Sequence, residues 1–266
     1  MTEKLCWLDG RIAPVSDGLL RPDDAAFSEG RGCFTTARWT GRGVRFEARH
    51  LARLARDARA LGVGAVDAEA ARRGFLELGS KVFGPAEGVI RLQASRDGEG
   101  RVRLLALARA LGAEPAAWRA ITLPFAHPGP APWGGAKVSG RLLYALGGDA
   151  VREAGADEGL LLDAHGRLVE GTRTNLVAVA PDGAPRFPPA SRGAVAGVAL
   201  EVAREGIPEL EGGDCTRAGI GALRELVALN AVRGAVAVVE IDDRPVGAGE
   251  PGPWSRRLAA ALDAAG

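Results

Sequence analysis

The stretch DEGLLLDAHGRLVEGTRTNL, residues 157–176, decides the fold class. Two apolar runs stand on either side of the polar segment DAHG, so the pattern predicts a strand, a turn and a second strand. Glu170 stands at the end of the second run, where a buried carboxylate costs free energy unless a cation or a hydrogen-bond donor meets it. An exposed strand end is the alternative interpretation of Glu170 taken alone.

Helices and strands alternate outward from this stretch in both directions. On the N-terminal side, RHLARLARDARALG predicts an amphipathic helix and Asp67 predicts the N-cap of a second helix. On the C-terminal side, VAGVALEVAREG predicts a helix with a glycine just inside its start. We therefore predict an α/β (α+β) protein with its site between two domains. A smaller N-terminal α/β domain spans residues 1–113, a linker 114–120 and a larger C-terminal domain 121–266.

Composition excludes several classes of protein. The formal net charge is +1 and no long run of one sign occurs, which argues against a nucleic-acid or membrane-surface partner. No stretch approaches the roughly 18 apolar residues of a spanning helix. The N-terminal residues lack an apolar signal core, so a cytoplasmic location is expected. Three scattered cysteines predict reduced thiols, and the histidines show no metal-ligand spacing.

Lysine is scarce in this chain. Of 34 basic residues only Lys4, Lys81 and Lys137 are lysines. Arginine stays protonated, whereas a buried lysine can lose its proton and attack a carbonyl group. Lys137 lies in GGAKVSGRLLYAL, between glycines and an apolar helical run, and is the candidate nucleophile. Chance placement is an equal alternative.

A second candidate feature is the helix start at Gly197-Val198-Ala199. Exposed N–H groups at such a start, with no bulky side chain on the glycine, suit an anion such as a phosphate. Many helices begin with a glycine, so an ordinary helix start is the plainer interpretation when the feature is taken alone.

Seven segments together resemble the class IV pyridoxal-phosphate aminotransferases, a family that includes branched-chain aminotransferase, D-amino acid aminotransferase and 4-amino-4-deoxychorismate lyase. They follow the family's order over almost the whole chain: DDAAFSEGRGCFTTAR, RHLARL, SRDGEGR, AKVSGRL, ADEGLLLDAHGRLVEGTRTNL, AVAGVAL and LNAVRGAVAV. The resemblance implies a two-domain fold type IV enzyme, similar to D-amino acid aminotransferase. It also implies pyridoxal 5′-phosphate in the inter-domain cleft, a cofactor-binding C-terminal domain and a homodimer.

The resemblance assigns cofactor contacts residue by residue. Lys137 matches the Schiff-base lysine. Glu170 matches the carboxylate that pairs with the pyridine nitrogen and keeps the ring protonated. Arg53 matches the arginine that grips the phosphate through charge-assisted hydrogen bonds. The remaining implied contacts are backbone and turn positions: Gly197, Val198 and Ala199 at the helix start, Asn230 and Ala231 on a second phosphate-side segment, and Asn175 as a turn partner.

Two positions depart from the family's pattern. Val177 stands where an aromatic residue is usual, and Ala199-Leu200 stand where a hydroxyl residue and an arginine are usual. Phosphate binding at the helix start would then depend on backbone N–H groups alone, which puts the role of Ala199 in doubt.

Three details favour the lyase branch, which makes 4-aminobenzoate and pyruvate from 4-amino-4-deoxychorismate for folate synthesis. GCFTTAR resembles the lyase segment; its Phe34 is expected to contact substrate, and its Thr36 stands at a lyase threonine that could relay a proton. An outward-facing strand threonine is the equal alternative. Arg141 follows Lys137 by four residues, as in the lyase motif. LNAVRGAVAV also resembles the lyase more than the branched-chain enzymes.

The loop SRDGEGRVR bears on the substrate. Arg101 matches a position used for substrate carboxylates in the lyase and D-amino acid enzymes, and Arg103 is predicted on the same strand face because side chains alternate. Two such arginines suit a small molecule with two carboxylates; a solvated strand edge is the alternative.

The alternative function is an aminotransferase that acts on D- or branched-chain amino acids with a 2-oxo acid. A non-enzymatic binding protein on this scaffold would be marked by loss of the lysine or glutamate.

Overall fold

The computed structural model describes residues 4–17, 21–113 and 115–266. The chain divides into two compact units: one contains the chain up to Ala113 together with Ala136–Gly140, and the other contains the remainder. The segment around Lys137 was predicted in the C-terminal domain but groups with the first unit. The first residue of the predicted linker, Glu114, lies outside the described residues, and a strand already begins within that linker at Ala117.

The first unit is an antiparallel sheet covered by helices. In its described residues, five strands lie in the order β2-β1-β5-β4-β3. They are β1 (Leu5–Leu8), β2 (Arg11–Pro14), β3 (Cys33–Trp39), β4 (Gly88–Arg96) and β5 (Val102–Ala110). The helices are α1 (Ala25–Ser28), α2 (Glu47–Ala60) and α3 (Ala68–Phe83).

The core of the first unit forms where α2 and α3 meet the sheet. Leu54 of α2 and Phe75 and Leu78 of α3 are fully buried in one cluster with Trp7 of β1. This is the apolar face predicted from helical spacing. The predicted N-cap is confirmed, because the Asp67 carboxylate accepts hydrogen bonds from the first N–H groups of α3.

The second unit contains a larger mixed sheet. Its described residues form nine strands, eight in the order β11-β10-β9-β12-β13-β6-β7-β8, with β14 paired to β13. They are β6 (Ala117–Thr122), β7 (Glu158–Leu162), β8 (Leu168–Gly171), β9 (Asn175–Val179), β10 (Pro185–Phe187), β11 (Glu211–Gly212), β12 (Glu225–Asn230), β13 (Gly234–Ile241) and β14 (Arg244–Pro245). The helices are α4 (Leu142–Glu153), α5 (Val198–Gly206), α6 (Arg217–Ile220) and α7 (Pro253–Ala264).

The stretch 157–176 forms the strand, turn and strand that its pattern predicts. Asp163 closes the turn, since one carboxylate oxygen accepts hydrogen bonds from the N–H groups of His165 and Arg167 at 2.9 Å. Glu170 is the penultimate residue of β8 and is only 2 % exposed, so the alternative of an exposed strand end is wrong. The mixed α/β fold class is confirmed. None of the helices in the described ranges has the length and apolar character needed to cross a bilayer.

Candidate active site

Lys137 is held at the edge of the first unit's sheet. Val138 forms an antiparallel bridge with Cys33, and the Lys137 carbonyl accepts a hydrogen bond from the Phe34 N–H at 3.0 Å. The Lys137 N–H donates to the buried carboxylate of Asp57 on α2 at 2.8 Å. These bonds fix the Lys137 backbone on two sides while its side chain stays half-buried.

The Phe34 ring brings Lys137 close to a second cation. Lys137 Nζ lies 5.0 Å from the ring centroid, and the Arg91 guanidinium carbon lies 3.7 Å from it. Arg91 comes from β4, where it pairs in register with Thr36. Thr36 is two residues from Phe34 and therefore points to the same sheet face. Sequence analysis missed Arg91; strand pairing, which a single sequence does not give, was needed to place it.

The predicted phosphate arginine, Arg53, contacts β3 through the side chain of Thr35. Arg53 is buried on α2 and donates from Nη2 to Thr35 Oγ1 at 2.6 Å. Thr35 Oγ1 also lies 2.6 Å from His50 Nδ1. The Thr35 hydroxyl therefore joins Arg53, which can only donate, to His50, whose part in the second hydrogen bond is set by its tautomer. Thr35 and His50 were not singled out from the sequence.

Burial lowers the pKa of His50 well below its ordinary value, and the positive charges of Arg53 and Lys137 lower it further. The unfolded chain therefore binds a proton below about pH 6.5 that the folded chain does not bind. As the pH is lowered below that point, we expect the free energy of unfolding to decrease, by up to about 1.4 kcal/mol per pH unit. Urea unfolding between pH 7 and 5 measures this slope.

The matched variants are His50→Asn, which retains an acceptor for Thr35, and His165→Asn at an exposed position. We expect His50→Asn to flatten the slope and His165→Asn to leave it unchanged. An unchanged slope in His50→Asn would show that another group causes the acid sensitivity.

In the second unit, the Glu170 carboxylate is surrounded by donors. Tyr144 of α4 donates its O–H to Oε1 at 2.5 Å, and the Val195 N–H donates to Oε2 at 2.9 Å. His127 Nε2 lies 3.6 Å from Oε1. Sequence analysis missed Tyr144 and His127, although Tyr144 is the only tyrosine in the chain and its rarity was an available signal.

Asn175 and Gly197 shape the helix start next to this carboxylate. Asn175 Nδ2 donates to the Val195 carbonyl at 2.8 Å, so side chains bind both backbone groups of Val195. Gly197 is the N-cap of α5, as predicted, and no side chain caps this helix. A Cβ at Gly197 would lie 1.8 Å from Asn175 Oδ1, so a larger residue would force the asparagine side chain to move. Because no side chain caps α5, its first N–H groups, with Val198 and Ala199 in the first turn, can bind an anion.

Asn230 and Ala231 lie at the turn between β12 and β13. Asn230 Oδ1 accepts hydrogen bonds from the N–H groups of Val232 and Arg233 at 3.0 and 2.8 Å. The asparagine side chain therefore stabilises the turn itself. Its predicted phosphate-side role stays a prediction.

Arg141 lies just before α4 and contacts the turn that follows Glu170. Its Nη2 donates to the Thr172 carbonyl at 2.9 Å, and its guanidinium carbon lies 4.1 Å from the Tyr144 ring centroid. Thr172 is bound in turn by Glu158, a fully buried carboxylate that accepts from the Thr172 N–H at 2.9 Å. Burial raises the pKa of Glu158. Arg141 is thus joined to Glu170 through Tyr144.

Arg101 and Arg103 both lie beside the carboxylate of Asp97, and their predicted contact with a substrate carboxylate stays a prediction. Arg101 lies in the turn before β5, which begins at Val102, whereas Arg103 lies on the strand. Arg101 Nε lies 3.1 Å from Asp97 Oδ2, and Arg103 Nη1 lies 3.7 Å from the same oxygen. Arg103 also forms an ion pair with Asp9. Their charges stabilise a turn against buried Asp97, a use that the sequence pattern did not indicate.

These groups fit pyridoxal phosphate. The first unit carries an amine for the aldehyde, and the second carries a buried carboxylate for the ring nitrogen and an uncapped, glycine-lined helix start for the phosphate. The described residues form the two sheets of a fold type IV pyridoxal-phosphate enzyme. The sequence profile of the amino-transferase class IV family matches residues 32–241, and the chain belongs to this family. The predicted family and cofactor are confirmed.

Solved structures support the same fold. A hypothetical aminotransferase from Mycobacterium tuberculosis, in an alpha-ketoglutarate and PMP bound form, is 22 % identical with a TM-score of 0.86, and the match covers 98 % of both chains. A branched-chain aminotransferase from Thermoproteus uzoniensis with norvaline is 22 % identical, with a TM-score of 0.80 over 98 % of this chain and 94 % of that one. Escherichia coli branched-chain aminotransferase is 22 % identical, with a TM-score of 0.83 over 99 % and 94 %. No curated protein sequence matches the chain significantly.

Proposed function

We propose that this enzyme is an aminotransferase that exchanges an amino group between an α-amino acid and a 2-oxo acid. The observation that carries the proposal is the arrangement around Phe34, where a guanidinium and the Lys137 amine lie against one ring. A single fixed guanidinium suits the one carboxylate that every α-amino acid carries. The two arginines that suggested a dicarboxylate substrate form ion pairs with Asp97, which already neutralises part of their charge. Among the similar structures, one binds alpha-ketoglutarate and another norvaline, which supports this substrate class.

The residues take the following proposed roles. Pyridoxal phosphate supplies an aldehyde for the substrate amine and a ring that accepts electrons. Lys137 Nζ would hold the cofactor covalently, and its amine would act as the base that takes the proton from the substrate Cα. Glu170 binds the ring nitrogen. Arg53 and the first N–H groups of α5 bind the phosphate, and Arg91 binds the substrate carboxylate.

The second candidate function is the lyase reaction on 4-amino-4-deoxychorismate. One observation favours it: Thr36 shares the strand face of Phe34 and is only partly buried, so its hydroxyl is placed on the same side as the Lys137 amine. In this reaction Thr36 would assist proton return while the enolpyruvyl group leaves as pyruvate.

One experiment separates the two functions. Cofactor-loaded protein is mixed with individual L- and D-amino acids and, separately, with 4-amino-4-deoxychorismate. The aminotransferase proposal expects an amino acid to convert the cofactor to its amine form, visible as a change in absorbance, and a 2-oxo acid to reverse the change. Equal release of pyruvate and 4-aminobenzoate, without such reversal, would replace it with the lyase.

A further inference from the structure

We infer that Tyr144 and His127 are positioning residues that orient the Glu170 carboxylate towards the cofactor's ring nitrogen. The inference rests on the proposed function, in which Glu170 binds that nitrogen. It concerns two side chains that no motif of the sequence pointed to. All of the groups involved lie in the second unit.

The first support is the direction of the Tyr144 hydrogen bond. An ionised carboxylate only accepts hydrogen bonds, so the hydroxyl 2.5 Å from Oε1 is the donor. Burial raises the pKa of Tyr144, and the negative charge of Glu170 raises it further. The phenol therefore keeps its hydrogen in neutral and alkaline solution, and Oε1 always faces a donor. Arg141 stacks on the same ring, and its positive charge strengthens the phenol as a donor.

The second support is the tautomer of His127. Its Nδ1 accepts a hydrogen bond from the Gly129 N–H at 3.0 Å, so Nδ1 carries no hydrogen in this arrangement. The ring hydrogen then stands on Nε2, which faces Glu170 Oε1 at 3.6 Å. His127 therefore directs its Nε2–H group towards the carboxylate, while its other ring nitrogen is held by the Gly129 backbone. Gly193 leaves room for this turn, because a Cβ there would meet the Gly129 carbonyl at 2.2 Å.

The third support is that the two oxygens of the Glu170 carboxylate have different partners. Oε1 faces Tyr144 and His127, whereas Oε2 accepts from the Val195 N–H at 2.9 Å. Contacts on both oxygens fix the carboxylate plane, and with it the direction of the remaining lone pairs. Hydrogen bonds to a carboxylate also favour its ionised form. In this fixed orientation the Glu170 carboxylate can face the ring nitrogen of a bound cofactor.

The test uses the holoenzyme loaded with cofactor that carries nitrogen-15 in the ring. Nitrogen-15 NMR follows ring protonation with pH, independently of turnover. Tyr144→Phe keeps the ring that Arg141 covers but removes the donor; we expect ring deprotonation to move about one pH unit lower, a tenfold change, because a carboxylate that is free to turn binds the protonated ring nitrogen less well. His127→Gln is expected to shift it in the same direction by less, because its contact is longer. His165→Gln, at an exposed histidine, is expected to give the wild-type curve.

Glu170→Gln separates failure of this inference from failure of the proposed function. If it leaves the ring signal unchanged, Glu170 does not bind the ring nitrogen and the proposed role is wrong. If it removes the ring proton while Tyr144→Phe and His127→Gln both titrate like wild type, the carboxylate needs no positioning by these side chains and the inference is overturned.

Discussion

Replacing Lys137 with alanine is expected to abolish covalent attachment of the cofactor and to lower turnover by roughly a thousandfold or more, the contribution of a positioned general base. The fold should survive, because the contacts of Lys137 with Asp57 and Phe34 are made by its backbone. Borohydride reduction followed by peptide mass spectrometry measures attachment. In the wild type the pyridoxyl group should be found on the peptide that contains Lys137.

The matched control is Lys81→Ala, which removes an exposed lysine from the last turn of α3. Its attachment and turnover should equal those of the wild type. Small primary amines added to Lys137→Ala should restore part of the turnover, because they replace the missing base and not a structural contact. Wild-type turnover by Lys137→Ala would contradict the assignment of Lys137.

The parts of the site that sequence analysis predicted are those set by local pattern or by the family resemblance. Asp67 caps a helix and Gly197 begins one because capping involves residues a few positions apart. Glu170 was placed correctly at the end of a strand because it directly follows the apolar residues Leu168 and Val169. Its role at the ring nitrogen came from the family resemblance and remains a prediction.

The parts that were missed depend on contacts between distant segments. Tyr144 and Glu170 are 26 positions apart, and nothing in either local pattern indicates that they meet. The grouping of Lys137 with the first unit was not predicted, because its segment pairs with β3, more than a hundred positions earlier. The ion pairs of Arg101 and Arg103 with Asp97 were also missed, because the sequence does not show that Asp97 is buried beside them.

Replacing Gly197 with alanine is expected to weaken cofactor binding by about ten- to a hundredfold, the loss expected when a buried hydrogen bond is broken. The backbone at Gly197 has φ −80°, which alanine adopts freely, so the effect comes from the methyl group alone. At 1.8 Å from Asn175 Oδ1, that group forces the asparagine to move. Asn175 then loses its hydrogen bond to the Val195 carbonyl. Of the two side-chain hydrogen bonds that hold the Val195 backbone, only the one from its N–H to Glu170 remains.

Cofactor titration of the apoenzyme, followed by absorbance, measures this loss. Gly206→Ala is the control: it lies at the other end of α5, and a Cβ there stands 3.4 Å from that of Ala261, an ordinary contact. Its affinity should be unchanged. Asn175→Ala removes the atom that the new methyl group meets, so Gly197→Ala should cost little more in that background. Additive losses in the double variant would show that the two residues act independently, and wild-type affinity in Gly197→Ala would show that the helix start tolerates a side chain.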